Sequence, residues 1–309
     1  MNKSLSVLLA LVAVLVVFLA IVWLGGMINP DLQLDETAVL RFVFVGIGLA
    51  LVYGVYLATR QSHIWEVGTR EVVYMAIGAA LFAIFSYLFN GTVFVVPSVS
   101  QVALRPAIAI PMFFGYAFGP TVGFFTGAVG NMFGDALTGF GLSPQWSVGN
   151  GLVGMISGMV WLFGDKKKSI DTVLGISAVL ALAITALYFL NPTIANANYF
   201  NPDENVFGDQ QITLLAGISV LLGLVLVVLV RFFFRDNVDV AAAVTWGMLG
   251  NLIGLGFAAI SDIWINGYPP VVALIGEFLP AAGPNLLFAA ILVPILVAAY
   301  AAVQRQTGR

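Results

Sequence analysis

The chain has 309 residues, of which 61% are hydrophobic and 9% charged, against about a quarter charged in an ordinary soluble domain. That composition excludes a soluble globular fold and a disordered one, and leaves an all-α polytopic membrane protein. A formal net charge of −3 without a basic run suited to nucleic-acid phosphates argues against nucleic-acid binding, and the lack of Cys beside a single His, His63, excludes disulfides and thiolate or multi-histidine metal sites.

About 20 apolar residues span the hydrocarbon core as a helix. Residues 5–27 are uncharged and give the first predicted crossing. Lys3 ahead of them resembles a signal-peptide n-region. The apolar run is too long, and Gly25-Gly26-Met27-Ile28-Asn29-Pro30 is a poor small-x-small cleavage site, so the helix is expected to be retained. Arg41 and Arg60 bracket the second crossing, about 42–59, and the third runs from Val72 to about Asn90. Gly119-Pro120 breaks the next uncharged stretch into a short segment, about 105–118, and a second one, about 120–138. The short one is either a full crossing or a re-entrant segment. A further segment covers about 147–164 and ends at Asp165-Lys166-Lys167-Lys168, and four more follow at about 172–190, 211–230, 241–262 and 284–303. The expectation is about ten transmembrane helices.

Lys and Arg concentrate in cytoplasmic loops. With ten crossings and a cytoplasmic N-terminus, that side carries Lys3, Arg60, Arg70, Lys166, Lys167, Lys168, Arg231, Arg235, Arg305 and Arg309, ten of the twelve cations. Arg41 and Arg105 fall at outer helix ends, and the outer loop 191–210 has no Lys or Arg. Both termini are therefore expected in the cytoplasm of a cell whose plasma membrane holds the chain. The six Trp fall near predicted helix ends, where interfacial anchoring explains them.

Three regions follow from composition: an N-terminal transmembrane hairpin, 1–60; a charged cytoplasmic linker, 61–70; and a main membrane domain, 71–309, in which 172–230 is a possible extra helix pair. Residues 105–164 are dense in Gly with polar residues at helical positions, the composition of close packing around a site. Residues 172–190 and 211–230 are plain Leu, Val and Ala, as on a lipid-facing helix. Gly130-Asn131-Met132-Phe133-Gly134 echoes weakly in Gly250-Asn251-Leu252-Ile253-Gly254.

Gly119, Gly123, Gly127, Asn131 and Asp135 step by four and form one helical stripe. Its glycines admit a close neighbour, and Asn131 and Asp135 follow on the same face. Asp135 near a helix end either belongs to a site or simply meets water. In the next helix Asn150, Gly154 and Gly158 repeat the step, with Trp146 one turn above Asn150. An aromatic plate beside an amide suits a planar polar ligand; a helix-pair hydrogen bond for Asn150 and a membrane anchor for Trp146 are the alternatives. Arg105, the one cation between Arg70 and Lys166, could bind an anionic group, pair with Asp135 or snorkel to headgroups. Asn251 reads as a helix-packing residue. Asp262, Trp264, Asn266, Glu277 and Asn285 read as groups at an outer mouth, with 275–280 taken as a solvated loop. Ala76 with Ala80 and Ala79 with Ala83 make two small-x-x-x-small spacings. The sequence has no phosphate-binding P-loop, no His-Glu-x-x-His and no Gly-x-Ser-x-Gly. No catalytic constellation stands out and no cofactor is implied.

Arg105-Pro106-Ala107-Ile108-Ala109-Ile110-Pro111, Gly115-Tyr116-Ala117-Phe118-Gly119-Pro120, the run Gly123 to Asn131, Gly134-Asp135 and the stretch Trp146 to Gly158 together resemble the substrate-binding S components of energy-coupling factor (ECF) transporters. The helix before them carries an Ala-x-x-x-Ala pattern similar to the one such subunits use against their coupling subunit. The specific part is about 71–164. The resemblance implies a non-enzymatic membrane subunit that captures a vitamin or related small organic micronutrient and works with an ECF transmembrane coupling subunit and ATPase subunits, amid membrane lipid. It also implies that Ala76, Ala79, Ala80 and Ala83 form the coupling surface and that Arg105, Asn131, Asp135, Trp146 and Asn150 line the ligand pocket. Such subunits have six helices, so four of the ten here are additional. The alternatives are an ion-coupled secondary transporter, for which Asp135 is the one good ionisable candidate, and a non-enzymatic assembly or scaffold protein.

Overall fold

A computed structural model describes residues 3–90, 105–138, 141–197, 200–201, 206–208 and 210–306. The chain is an all-α polytopic membrane protein. Its helices are α1 (Lys3–Ile28), α2 (Ala38–Thr59), α3 (Thr69–Asn90), α4 (Ala109–Phe118), α5 (Pro120–Thr138), α6 (Pro144–Gly158), α7 (Lys166–Leu190), the single turn α8 (Leu214–Gly217), α9 (Ser219–Phe233), α10 (Val238–Ile265) and α11 (Phe278–Gln306). Apart from α8 these are the ten expected segments in the expected order. Among the described residues, six spans are long and apolar enough to cross a membrane: α1, α2, α3, α7, α10 and Val272–Gln306. Helix α4 has 10 residues, about 15 Å of rise, half the hydrocarbon thickness. A two-stranded antiparallel ribbon pairs Phe200–Asn201 with Val206–Phe207. Arg309 and residues 198–199, 202–205 and 209 of the 191–210 loop lie outside the described residues.

Helices α5, α6 and α10 form the centre, with α3, α4 and α11 against them and α1, α2, α7 and α9 outside. Glycine sets this arrangement. A Cβ on Gly154 would overlap the Gly123 carbonyl oxygen, and one on Gly127 would overlap that of Asn150, so α5 and α6 touch backbone to backbone. The other side of α6 meets α10 in the same way: a Cβ on Gly149 would stand 2.7 Å from the Gly254 oxygen. Gly130 and Gly134 of α5 face α3, against Phe82 and Ser86. The peripheral helices show the reverse. Val7, Leu11, Val14 and Phe18 of α1 are buried while Leu8, Val12, Val16 and Leu19 are exposed. An apolar face of that extent is stable against lipid, not water.

The break between α4 and α5 has a local cause. Pro120 disfavours helical geometry in the residue before it, and Gly119 takes φ 100°. A Cβ there would also stand 2.8 Å from the Ile64 oxygen. The chain therefore turns back, and Arg105 at the start of α4 meets Asp135 near the end of α5, 3.9 Å apart. The bundle has two distinct ends. Lys3, Arg70, Trp161 and Tyr300 gather at the basic end, around a cleft of about 980 Å³. Arg41, Asp135, Asp262 and Glu277 lie at the other, acidic end.

Three expectations are corrected. Residues 275–280 are not a solvated loop: a π-helical turn, Val272–Glu277, runs straight into α11. Pro280 follows the π-turn closely, and the helix continues past it. Trp65 and Trp246 are not interfacial anchors. They are 0% and 4% exposed, and their indole N–H groups donate to Thr59 Oγ1 at 2.8 Å and Ser169 Oγ at 3.3 Å. The four alanines of α3 do not share one surface. Ala79 and Ala83 are buried, packed toward Gly130 and Gly134 of α5, while Ala76 and Ala80 are exposed. Residues one apart on a helix differ by about 100°, so two adjacent four-step stripes cannot face one partner equally.

The N-terminal helices sit on the core separately: α1 lies along α5 and α2 along α6, with little contact between them. The linker folds back beneath them. Lys3 Nζ donates to the Ser62 carbonyl at 3.0 Å, and Tyr56 meets Trp65 edge-on at 5.7 Å.

Candidate functional site

The first turns of α6 hold together two polar clusters at the acidic end. Pro144 at the helix start fixes the entry, and the glycine contacts on both sides of α6 bring α5 and α10 within side-chain reach.

On the α5 side, Asn131 Nδ2 donates to Asp135 Oδ2 at 3.0 Å and to Ser147 Oγ at 3.0 Å. Asn150 Nδ2 donates to Asn131 Oδ1 at 3.1 Å and to the Trp146 carbonyl at 3.0 Å. Arg105 closes the cluster through its ion pair with Asp135. Asn131 and Asn150 are each 2% exposed. In a membrane interior such amides are costly unless every donor and acceptor is used, and here they satisfy one another.

On the α10 side, Asp262 is 1% exposed. Gln145 Nε2 donates to its Oδ1 at 3.0 Å and Trp146 Nε1 to its Oδ2 at 2.7 Å. The Glu277 carboxyl, 4% exposed, hydrogen-bonds Asp262 as well. Arg41 acts electrostatically on both acids. Tyr268, in the loop between α10 and the π-turn, has its phenol pushed up by burial and then by the Glu277 and Asp262 carboxylates. The 191–197 segment lies over this corner, with Ala197 N donating to the Gly276 carbonyl at 2.9 Å. Deeper in the bundle, Asn285 Nδ2 donates to Asn251 Oδ1 at 3.1 Å, and Asn251 Nδ2 to the Ala282 carbonyl at 2.9 Å.

Arg105, Asn131, Asp135, Trp146 and Asn150 thus come together. Asp135 is ion-paired, not merely solvated. Trp146 turns its indole N–H away from Asn150 toward Asp262. Sequence reasoning passed over Gln145 and Ser147 and placed Asp262 and Glu277 at a solvated mouth. One signal was available: Asn251 and Asp262 are three helical turns apart and share a face of α10. The partner of Asp262 on the π-turn had no such signal. Chemically, the arrangement is a set of amides and carboxylates fixed in place around an aromatic ring, suited to holding a polar ligand.

Residues 66–231 match the family described as ECF-type riboflavin transporter, S component. A UPF0397 protein of Aliivibrio salmonicida is 32% identical over 171 residues, covering 52% of this chain and 87% of that one. A UPF0397 protein of Vibrio atlanticus is 30% identical over 173 residues, covering 54% and 92%. No solved structure matches the chain.

Proposed function

We propose, for a chain that belongs to the ECF-type riboflavin transporter S-component family, that it captures a vitamin or related small organic micronutrient for import. It is a membrane substrate-binding subunit of the ECF type. In this reading the plasma membrane holds it with both termini in the cytoplasm, and the acidic end faces outward to receive the ligand. Arg105, Asn131, Asp135, Trp146 and Asn150 contact the ligand. A transmembrane coupling subunit and ATPase subunits supply the energy. Residues 71–309 form the transport domain, with 172–230 an added pair and 1–60 two accessory helices.

The observation that carries this reading is the joining of Arg105, Asp135, Asn131 and Asn150 in one cluster of hydrogen bonds and an ion pair, which the Trp146 carbonyl also meets, within the matched region. Co-purification in mild detergent from the native host tests it. A coupling subunit, ATPases and a bound small molecule are expected together; a chain that comes alone and empty would sink the idea. Riboflavin, named in the family's description, is the first compound to look for.

The coupling contact falls on the exposed stripe of α3, Ala76 and Ala80, flanked by exposed Ile77 and Leu81. Small residues there let a second helix approach closely. Ala80→Leu is expected to cut uptake at least tenfold while ligand binding to the isolated subunit stays within about twofold, since tenfold corresponds to only about 1.4 kcal/mol of lost contact. Uptake assays beside binding titrations check it. Unchanged uptake in both Ala76→Leu and Ala80→Leu would move the contact elsewhere.

A further inference from the structure

The corner where α6, α10 and the π-turn meet buries two carboxyl groups against each other. Asp262 and Glu277 are 1% and 4% exposed. The donors to Asp262 from α6 are a neutral amide and a neutral indole. From α2, Arg41 faces the pair, but its Nε donates to Thr37 Oγ1 at 2.9 Å and the same nitrogen lies 4.0 Å from Asp35. Among the described residues, Tyr268 also faces the pair. A second, independent feature marks the corner. Gln145 is 1% exposed, and its Oε1 has no hydrogen-bond partner among the described residues, although its Nε2 is bound to Asp262. A buried amide oxygen without a donor costs about 1–3 kcal/mol. The amide oxygen without a donor thus lies beside two carboxyls that are in hydrogen-bond contact.

We infer that the Gln145–Asp262–Glu277 corner is a recognition subsite for a protonated amine or equivalent cationic N–H group on the transported compound. This rests on the uptake reading above and narrows its substrate class. The cation's N–H groups reach Gln145 Oε1 and the carboxylates, beside the indole N–H that holds Asp262 Oδ2. Two carboxyls in hydrogen-bond contact hold one proton between them. The incoming ammonium takes the place of that proton, which leaves to solvent. The two acids of the subsite lie on α10 and the π-turn, beyond the matched residues 66–231, so relatives that share only the matched part need not share the preference.

The test uses the full chain in lipid nanodiscs and three probes: benzylamine, its uncharged isostere benzyl alcohol, and riboflavin. Binding is followed by tryptophan fluorescence and calorimetry. Benzylamine is expected to bind at least tenfold more tightly than benzyl alcohol, and Asp262→Asn and Glu277→Gln to lower its affinity about tenfold each. Arg41→Gln, which removes the facing cation, is expected to tighten benzylamine severalfold. Loss of fold cannot produce a gain, so this variant separates charge from damage. Equal affinity for the two isosteres, no binding of either, or riboflavin binding that is tight and indifferent to both acid variants would overturn the subsite. The uptake reading fails separately, through the absence of coupling partners on co-purification.

Discussion

Gly154→Leu is expected to leave almost no folded chain in the membrane. The α5–α6 contact there is backbone on backbone, and an added Cβ already overlaps the Gly123 oxygen, with the Gly123 Cα 2.9 Å away. Overpacking costs about 1–3 kcal/mol where side chains can yield. Neither partner here can yield without separating two helices that also position Asn131 and Asn150. The cost should exceed that range, against a total stability of about 5–15 kcal/mol. Gly175→Leu is the control: it sits on an exposed face of α7 with nothing within 4 Å of its Cβ position. The measurement is the yield of monodisperse protein after extraction, with a thermal midpoint for what survives. A Gly154→Leu variant that matches Gly175→Leu would show that the helices part more easily than their contact suggests.

The second large effect is expected at Asn131. Its amide serves Asp135, Ser147 and Asn150 at once. Asn131→Leu leaves the Asp135 carboxylate without its amide donor and turns an apolar group toward the proposed pocket. Each buried polar group left unsatisfied costs about 1–3 kcal/mol. Affinity for the compound that co-purifies is expected to fall at least tenfold. Asn251→Leu is the matched comparison, because Asn251 also anchors an amide pair, with Asn285 and the Ala282 carbonyl, but deeper between α10 and α11. It should lower the thermal midpoint by a similar amount and leave affinity within about threefold. Equal losses of affinity in both variants would mean that the amide clusters hold the bundle together and nothing more.

Much of this was legible in the chain itself. Hydropathy and charge located all ten segments, because a membrane helix must satisfy its backbone internally and must be long enough. The four-residue step from Gly119 to Asp135 identified the packing face of α5, since glycine in a membrane helix has few uses other than close approach. What was not legible shares one cause. In a bilayer both the buried and the lipid-facing sides of a helix are apolar, so hydropathy cannot tell Ala79, which is buried, from Ala80, which is exposed. The Asp262–Glu277 contact depends on how far α11 extends toward the acidic end. Pro280 and Gly276 suggested a loop there, and only the packed chain shows the helix continuing past both.

The glycine seams of α6 have a mechanical consequence. Side chains between two helices act as a compliant layer: they change rotamer and let the helices slide or roll by small steps. Helix α6 has no such layer toward α5 at Gly154 and Asn150, nor toward α10 at Gly149 and Gly254. Three helices joined in this way behave as one stiff plate. Any large excursion of the subunit is then movement of the whole plate through the lipid, with flexing confined to the helices and loops along its rim.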